Sequence, residues 1–110
     1  MKRYEFVVLS NPQDGRDDEY NEWYDRRHLA DVLAVPGLVA ARRFRLAKPD
    51  GKRHRYLALY EIETADLGAT LKDLYGRIGS ASMPISEAID MDGVDATVYE
   101  AITERIEKKR

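Results

Sequence analysis

Apolar and polar positions follow two different periods along the chain. "RYEFVVLS", residues 3 to 10, is rich in strand-forming residues and ends at the turn signal "NPQDG". "RDDEYNEWYDRRHLADVLAV" follows with helical spacing. Asp17 or Asp18 is placed to cap it, and Asp17, Asp18, Glu19 and Glu22 suit a helix N-terminus. "VPG" at residues 35 to 37 stops the helix, because Pro36 restricts the residue before it and Gly37 accepts a left-handed turn. "LVAARRFRLA" and "KRHRYLALYEI" read as strands joined through the turn "KPDG". "TADLGATLKDLYGRIG" sets Leu67, Leu71, Leu74 and Ile78 on one helical stripe, with Thr64 or Asp66 as the cap. "SASMPISEAIDMDG" is broken by Pro84, and its "ISEAI" fits a short helical turn or a loop. "VDATVYEAI" is the last strand, and "TERIEKKR" is a charged tail expected to fray.

The order β-α-β-β-α-β predicts a ferredoxin-like α+β domain over residues 1 to 110, a four-stranded antiparallel sheet with two helices on one face. Two helices cover one sheet face, so the other should alternate with polar residues. It does not: "FVVL" at 6 to 9 is apolar on both faces, and "YLALY" puts Tyr56, Ala58 and Tyr60 on one side and Leu57 and Leu59 on the other. A bare apolar face predicts a homodimer packed sheet to sheet, a closed or nearly closed barrel. The charged tail is a poor cover for it.

On a wheel of about 100° per residue, Leu29, Val32 and Leu33 mark the core side of the first helix. Asn21, Tyr24, Asp25 and His28 form a neighbouring stripe, and Trp23 falls round the far side. His28 has the chemistry of a general acid or base near neutral pH. Asp25 or Asp31 is near enough on the helix surface to orient its ring. Tyr24 and Asn21 are candidate donors to a carbonyl or enolate oxygen. Spacing alone fits the ordinary alternative better, a structural or solvated histidine beside packing aromatics. His54 falls far off on a strand, so no metal site is expected. No Gly-rich phosphate loop precedes a helix.

The net charge of -2 gives no case for nucleic acid or an anionic membrane as partner. The absence of cysteine removes disulfides, thiolate nucleophiles and cysteine metal sites together. The start of the chain has only a four-residue apolar run, too short for a signal peptide or a membrane span, and the expected location is the cytoplasm.

"NEWYDRRHLADVLAVPGLVAARRFRL", residues 21 to 46, resembles the dimeric α+β barrel superfamily, and within it the small EthD-like proteins of bacterial degradation operons. The motif covers about a quarter of the chain. The resemblance implies a ferredoxin-like protomer dimerising through its sheet, and it implies His28 beside a cleft between helices and sheet. Asn21, Trp23, Tyr24 and His28 match on the helix, and Pro36, Gly37, Arg42 or Arg43, and Phe44 match on the turn and strand. Ala30 departs from the Pro often found after "HL" in similar sequences. The superfamily spans cofactor-independent monooxygenases, an isomerase, cyclases and haem-dependent enzymes, so fold does not choose a reaction.

Arg42, Arg43, Arg45, Lys48, Lys52, Arg53 and Arg55 crowd the central hairpin, with Arg53 and Arg55 expected to share a strand face. The plain reading is a solvated hairpin end balanced by the acidic first helix. The sharper one sends Arg42 or Arg43 into the cleft to hold a carboxylate or phenolate. A Lys/Arg-Gly-Phe type RNA-binding signature is missing from "LVAARRFRL".

The expectation is therefore a homodimeric protein with an apolar pocket. Its His28 and Tyr24 would drive a cofactor-independent lyase, isomerase or cyclase reaction on a small aromatic or enolisable substrate. Asn21, Trp23, Arg42, Arg43, Phe44 and Tyr60 are the candidate substrate contacts, and Phe6, Leu59 and Met83 further candidate walls. No metal, flavin or haem is expected, since haem needs an axial ligand in a large cavity. The alternative is a non-catalytic binder of small hydrophobic molecules.

Overall fold

The structure is a computed structural model and describes residues 1 to 109; Arg110, the end of the expected tail, lies outside the described residues. β1 (Lys2–Ser10) leads into α1 (Asp17–Trp23), a π-helical segment (Tyr24–His28) and α2 (Leu29–Leu33), which run on as one rod. β2 (Leu38–Arg45), β3 (Tyr56–Thr64), α3 (Leu67–Arg77), a 3₁₀ turn (Met91–Gly93) and β4 (Asp95–Glu100) complete the ferredoxin-like order. The sheet is antiparallel throughout, in the order β2-β3-β1-β4.

Period-2 alternation decides the two faces. Phe6, Ser10, Ala58, Tyr60 and Ile62 are buried under the helices, against Tyr20, Tyr24, Val32 and Leu74. Val7 pairs with Leu59, Leu9 with Leu57 and Phe44 with Leu57, so these side chains share the opposite face. That face is apolar over only half its length. Farther along, Glu5 sits directly opposite Glu61, and burial followed by the Glu61 charge raises the Glu5 pKa. The tail leaves β4 here: Ala101 N–H donates to the Arg3 carbonyl, and Thr103, Glu104 and Arg105 stand beside Arg3, Glu5, Glu61 and Glu63. It does not run over the apolar half.

Several local readings are corrected. β3 begins at Tyr56, so Arg53, His54 and Arg55 belong to the hairpin loop and share no strand face. Asp50 holds that loop by accepting from the Lys52 and Arg53 backbone N–H groups, each at 2.9 Å. Neither Asp17 nor Asp18 caps α1, whose N-cap is Arg16 without a side-chain bond. Asp17 is drawn away by Arg55 at 2.8 Å and the Tyr56 hydroxyl at 3.3 Å. Asp66 does cap α3, accepting from Ala69 N–H at 3.1 Å. Ile78 lies just past the end of α3 and is exposed.

Gly37 turns the first helical rod into β2 with φ +97°, and its carbonyl accepts from Glu63 N–H at 2.8 Å. A Cβ there would meet the Thr70 side chain at 3.1 and 3.2 Å, whereas one on Gly15 (φ +73°) would meet nothing. Gly15→Ala should therefore cost about 1 kcal/mol from backbone strain alone. Gly37→Ala should cost roughly 1–3 kcal/mol, because strain and a packed neighbour add. Urea midpoints of the two variants check the order; equal losses would remove the Thr70 contact as a constraint.

Candidate functional site

The first helical rod changes register where the expected site begins. Leu29 N–H donates to the Tyr24 carbonyl, a five-residue closure in place of the usual four. The wider turn carries Trp23 round onto the side of His28. Their rings stack at 4.5 Å and 23°, and Tyr24 meets His28 edge-on at 5.1 Å. The regular wheel had put Trp23 on the far side. It had also put Leu33 toward the core, where Leu33 is in fact exposed and Val32 and Val35 are buried.

Trp23, Tyr24 and His28 form one wall of a cavity of about 90 Å³. Phe6, Val8 and Tyr60 of the sheet supply the floor, Leu74 and Tyr75 of α3 a side, and Met83, Ile85 and Ile89 the far wall. The size suits only a small ligand, being below the roughly 300–1,000 Å³ usual for small-molecule sites. The segment from 79 to 93 is pinned and not a free flap. Trp23 Nε1–H donates to the Pro84 carbonyl at 3.1 Å, Gln13 N–H to Ala88 at 2.6 Å and Asp90 N–H to Asn11 at 2.9 Å. Met83 and Ala88 are fully buried.

The cavity wall is almost wholly hydrocarbon, and its few polar atoms are poorly partnered. Tyr60 is 1% exposed, and its buried hydroxyl interacts with that of Tyr24 too weakly to reach hydrogen-bond geometry. His28 Nδ1 is buried and has no partner either. Such groups are uncommon in folded interiors and call for a reason. Burial pulls the His28 pKa from 6.5 down to about 4, against the field of Asp31, which favours the cation. Burial also raises the pKa of Tyr24 and of Tyr60. Behind Tyr24, burial pushes Tyr20 up to about 12 although its hydroxyl shares a 2.6 Å hydrogen bond with Ser10. The environment thus resists either sign of charge.

Neither expected carboxylate orients the His28 ring. Asp25 is held by Arg43 at 2.6 Å, and Asp31 by Arg27 at 3.0 Å, acting on His28 only through its field. The ring is fixed by its aromatic neighbours. Among the described residues, no group of three His, Cys, Asp or Glu side chains is arranged to hold a metal ion.

The remaining candidates are placed elsewhere. Arg43 lies behind Tyr24, with its guanidinium 4.5 Å from that ring and 5.5 Å from both Tyr20 and Tyr56. It donates to Asp25 and, at 2.7 Å, to Asn21, while Asn21 donates to the Tyr56 hydroxyl at 3.3 Å. These groups line a separate polar groove with Phe44 and Arg45. Arg42 and Phe44 share the open sheet face, the guanidinium 5.4 Å from the ring; Leu59 is there too. The cavity therefore holds Trp23, Tyr24, His28 and Tyr60, with Phe6 and Met83, but not Asn21, Arg42, Arg43, Phe44 or Leu59. Sequence reading missed Leu74, Tyr75, Ile85, Ile89, Met91 and Val94. Only the Leu74 periodicity hinted at any of them.

No family model matches the chain, and no curated protein matches its sequence. Solved structures do match its shape. The haem-degrader MhuD from Mycobacterium tuberculosis, with two haems bound in its active site, superposes with TM-score 0.65 at 15% identity, covering 93% of this chain and 98% of that one. A DABB family protein from Mesorhizobium loti gives 0.63 at 10% identity, covering 94% and 100%. An EthD-like protein from Ralstonia eutropha gives 0.58 at 13% identity, covering 96% of each chain. The fold of this chain is the ferredoxin-like fold that these EthD-like and DABB proteins share, as the motif in its first helix implied.

Proposed function

We propose that this chain is a homodimeric small-molecule enzyme that moves a proton on a small aromatic or enolisable substrate held in the cavity. The observation that carries the reading is the pairing of a neutral imidazole with two tyrosines in one apolar cavity. His28, with its pKa near 4, is the free base at neutral pH and is available to accept a proton. Tyr24 or Tyr60 donates to the oxygen where negative charge develops. The excluded water strengthens that hydrogen bond. Lyase, isomerase and cyclase chemistry all begin with this step. A carrier that only binds the same molecules is the competing reading, since a dry pocket with unpaired polar atoms suits binding as well.

One MhuD structure holds two haems and another, of an R26S variant, two manganese protoporphyrins. A porphyrin needs a large cavity, and this one is about 90 Å³ with its far wall pinned to Trp23, Gln13 and Asn11. The cavity does not fit that group, and no step is assigned to haem. A Soret band in the purified protein would reverse this.

Dimerisation rests on the uncovered half-face of Val7, Leu9, Leu57, Leu59 and Phe44. Solved structures described as dimeric ferredoxin-like proteins from Thermobifida fusca and Jannaschia support it. A second copy is the simplest cover for an apolar face that the tail leaves bare. Sedimentation should give a dimer for the wild type and a monomer for Leu59→Asp. A monomeric wild type would sink the proposal.

His28→Ala should keep its circular dichroism spectrum and lose turnover, together with the pH–rate limb that the imidazole sets. Undiminished turnover would remove His28 as the base. Tight ligand binding with no turnover in the wild type would favour the carrier.

Burial of a neutral His28 also makes stability depend on pH. The unfolded chain protonates this imidazole near 6.5, the folded chain only near 4. Across that window the unfolded state binds the extra proton, so stability falls as pH drops. The loss should approach about 3 kcal/mol at the lower end. His28→Asn should flatten this part of the curve in urea titrations at a series of pH values. An identical slope in the variant would show that other groups set it.

A further inference from the structure

We infer that the cavity takes an uncharged ligand with one acceptor oxygen, a ketone or lactone carried on a hydrocarbon ring, and that the Tyr60 hydroxyl is the donor to that oxygen. The inference rests on the proposed function and narrows its substrate class.

Three observations carry it. The first is the wall itself: no Lys or Arg lines the cavity. The arginines best placed in sequence to hold an anion are committed elsewhere, Arg43 to Asp25 and Asn21, and Arg42 over Phe44 on the open sheet face. A carboxylate entering this space would lose its hydration and meet no cation directly, since Arg43 acts only through the tyrosine wall.

The second is the Tyr60 hydroxyl. It belongs to a side chain that lines the cavity at 1% exposure, and beyond a weak interaction with the Tyr24 hydroxyl it has no partner at hydrogen-bond distance. A buried O–H without an acceptor is costly, and a ligand oxygen removes the cost. Tyr20, by contrast, is satisfied by Ser10 at 2.6 Å, so the shortage is local to the cavity.

The third is charge balance in the proposed step. With a neutral substrate, the proton passes from a substrate carbon to His28 and the electron pair moves to the substrate oxygen. The imidazolium and enolate that result are net neutral together. An anionic substrate would leave a net negative charge in a space where burial raises the pKa of both Tyr24 and Tyr60.

Tetralin, α-tetralone and the matched tetralin carboxylate share one ring system and differ only in the oxygen function. Calorimetric titration of all three into wild type and Tyr60→Phe tests the inference. The ketone-to-hydrocarbon affinity ratio should fall roughly threefold to tenfold in Tyr60→Phe, the size of one neutral hydrogen bond. The carboxylate should bind the wild type far more weakly than the ketone, and Tyr60→Phe should not lower Tm in the absence of ligand. An unchanged ratio while tetralin still binds would overturn Tyr60 as donor and leave the cavity reading standing. Equal affinity for carboxylate and ketone would overturn the neutral-ligand assignment. A lowered Tm would show the hydroxyl to be structural and overturn its role. Failure of all three compounds to bind would overturn the inference and the proposed site together.

Discussion

The five-residue closure from Leu29 N–H to the Tyr24 carbonyl is the constraint on which the site depends. It adds width to one turn of an otherwise regular rod. Residues on either side keep their own faces, but those faces no longer coincide with a straight wheel. Tyr20 and Tyr24 stay buried ahead of the turn, Val32 and Val35 behind it. Trp23 and His28 come together at the turn itself. Without it, the stack that fixes the imidazole would not form. Such turns break helix regularity and are found often at functional sites.

Around that turn, two environments are kept apart by the Tyr20 and Tyr24 rings. On one side Arg43 sits against Tyr20, Tyr24 and Tyr56 and is neutralised by Asp25. Asn21, Asp17 and Arg55 extend the network and tie the hairpin loop to the start of the first helix. On the other side lies the dry cavity, where burial favours the neutral forms of Tyr24, His28 and Tyr60. The arginine stiffens the wall from behind, and its field reaches Tyr24 and Tyr60, where it works against the larger effect of burial. Asp25, at 2.6 Å, pairs with it on the far side.

The sheet separates two further tasks. Its helix-covered face closes the cavity floor, and its other face leaves an apolar half beside a charged half. The Glu5–Glu61 pairing keeps the charged half from being a simple continuation of the patch. A like-charge pair directly across two strands is unfavourable, and its placement limits how far an apolar partner surface can extend.

The sequence by itself determined the element order, the ferredoxin-like fold, the two-faced sheet and the stop at Gly37. Each rests on periodicity, turn chemistry or a cap, which act between near neighbours. It also singled out Trp23, Tyr24, His28 and Tyr60, the candidates that share the cavity. Tertiary structure alone decided the rest. The basic hairpin looked like an anion site, but its arginines were claimed by Asp25, Asp50 and Asp17 or left on the open face. Nothing in local spacing reveals which long side chain meets which carboxylate. The segment from 79 to 93 lacked any period, and it became a wall only through bonds to Trp23, Gln13 and Asn11. The helical wheel failed at Trp23 because a single widened turn leaves no mark in the sequence pattern. Its position is fixed by the His28 and Tyr24 rings and by the Pro84 carbonyl of the far segment.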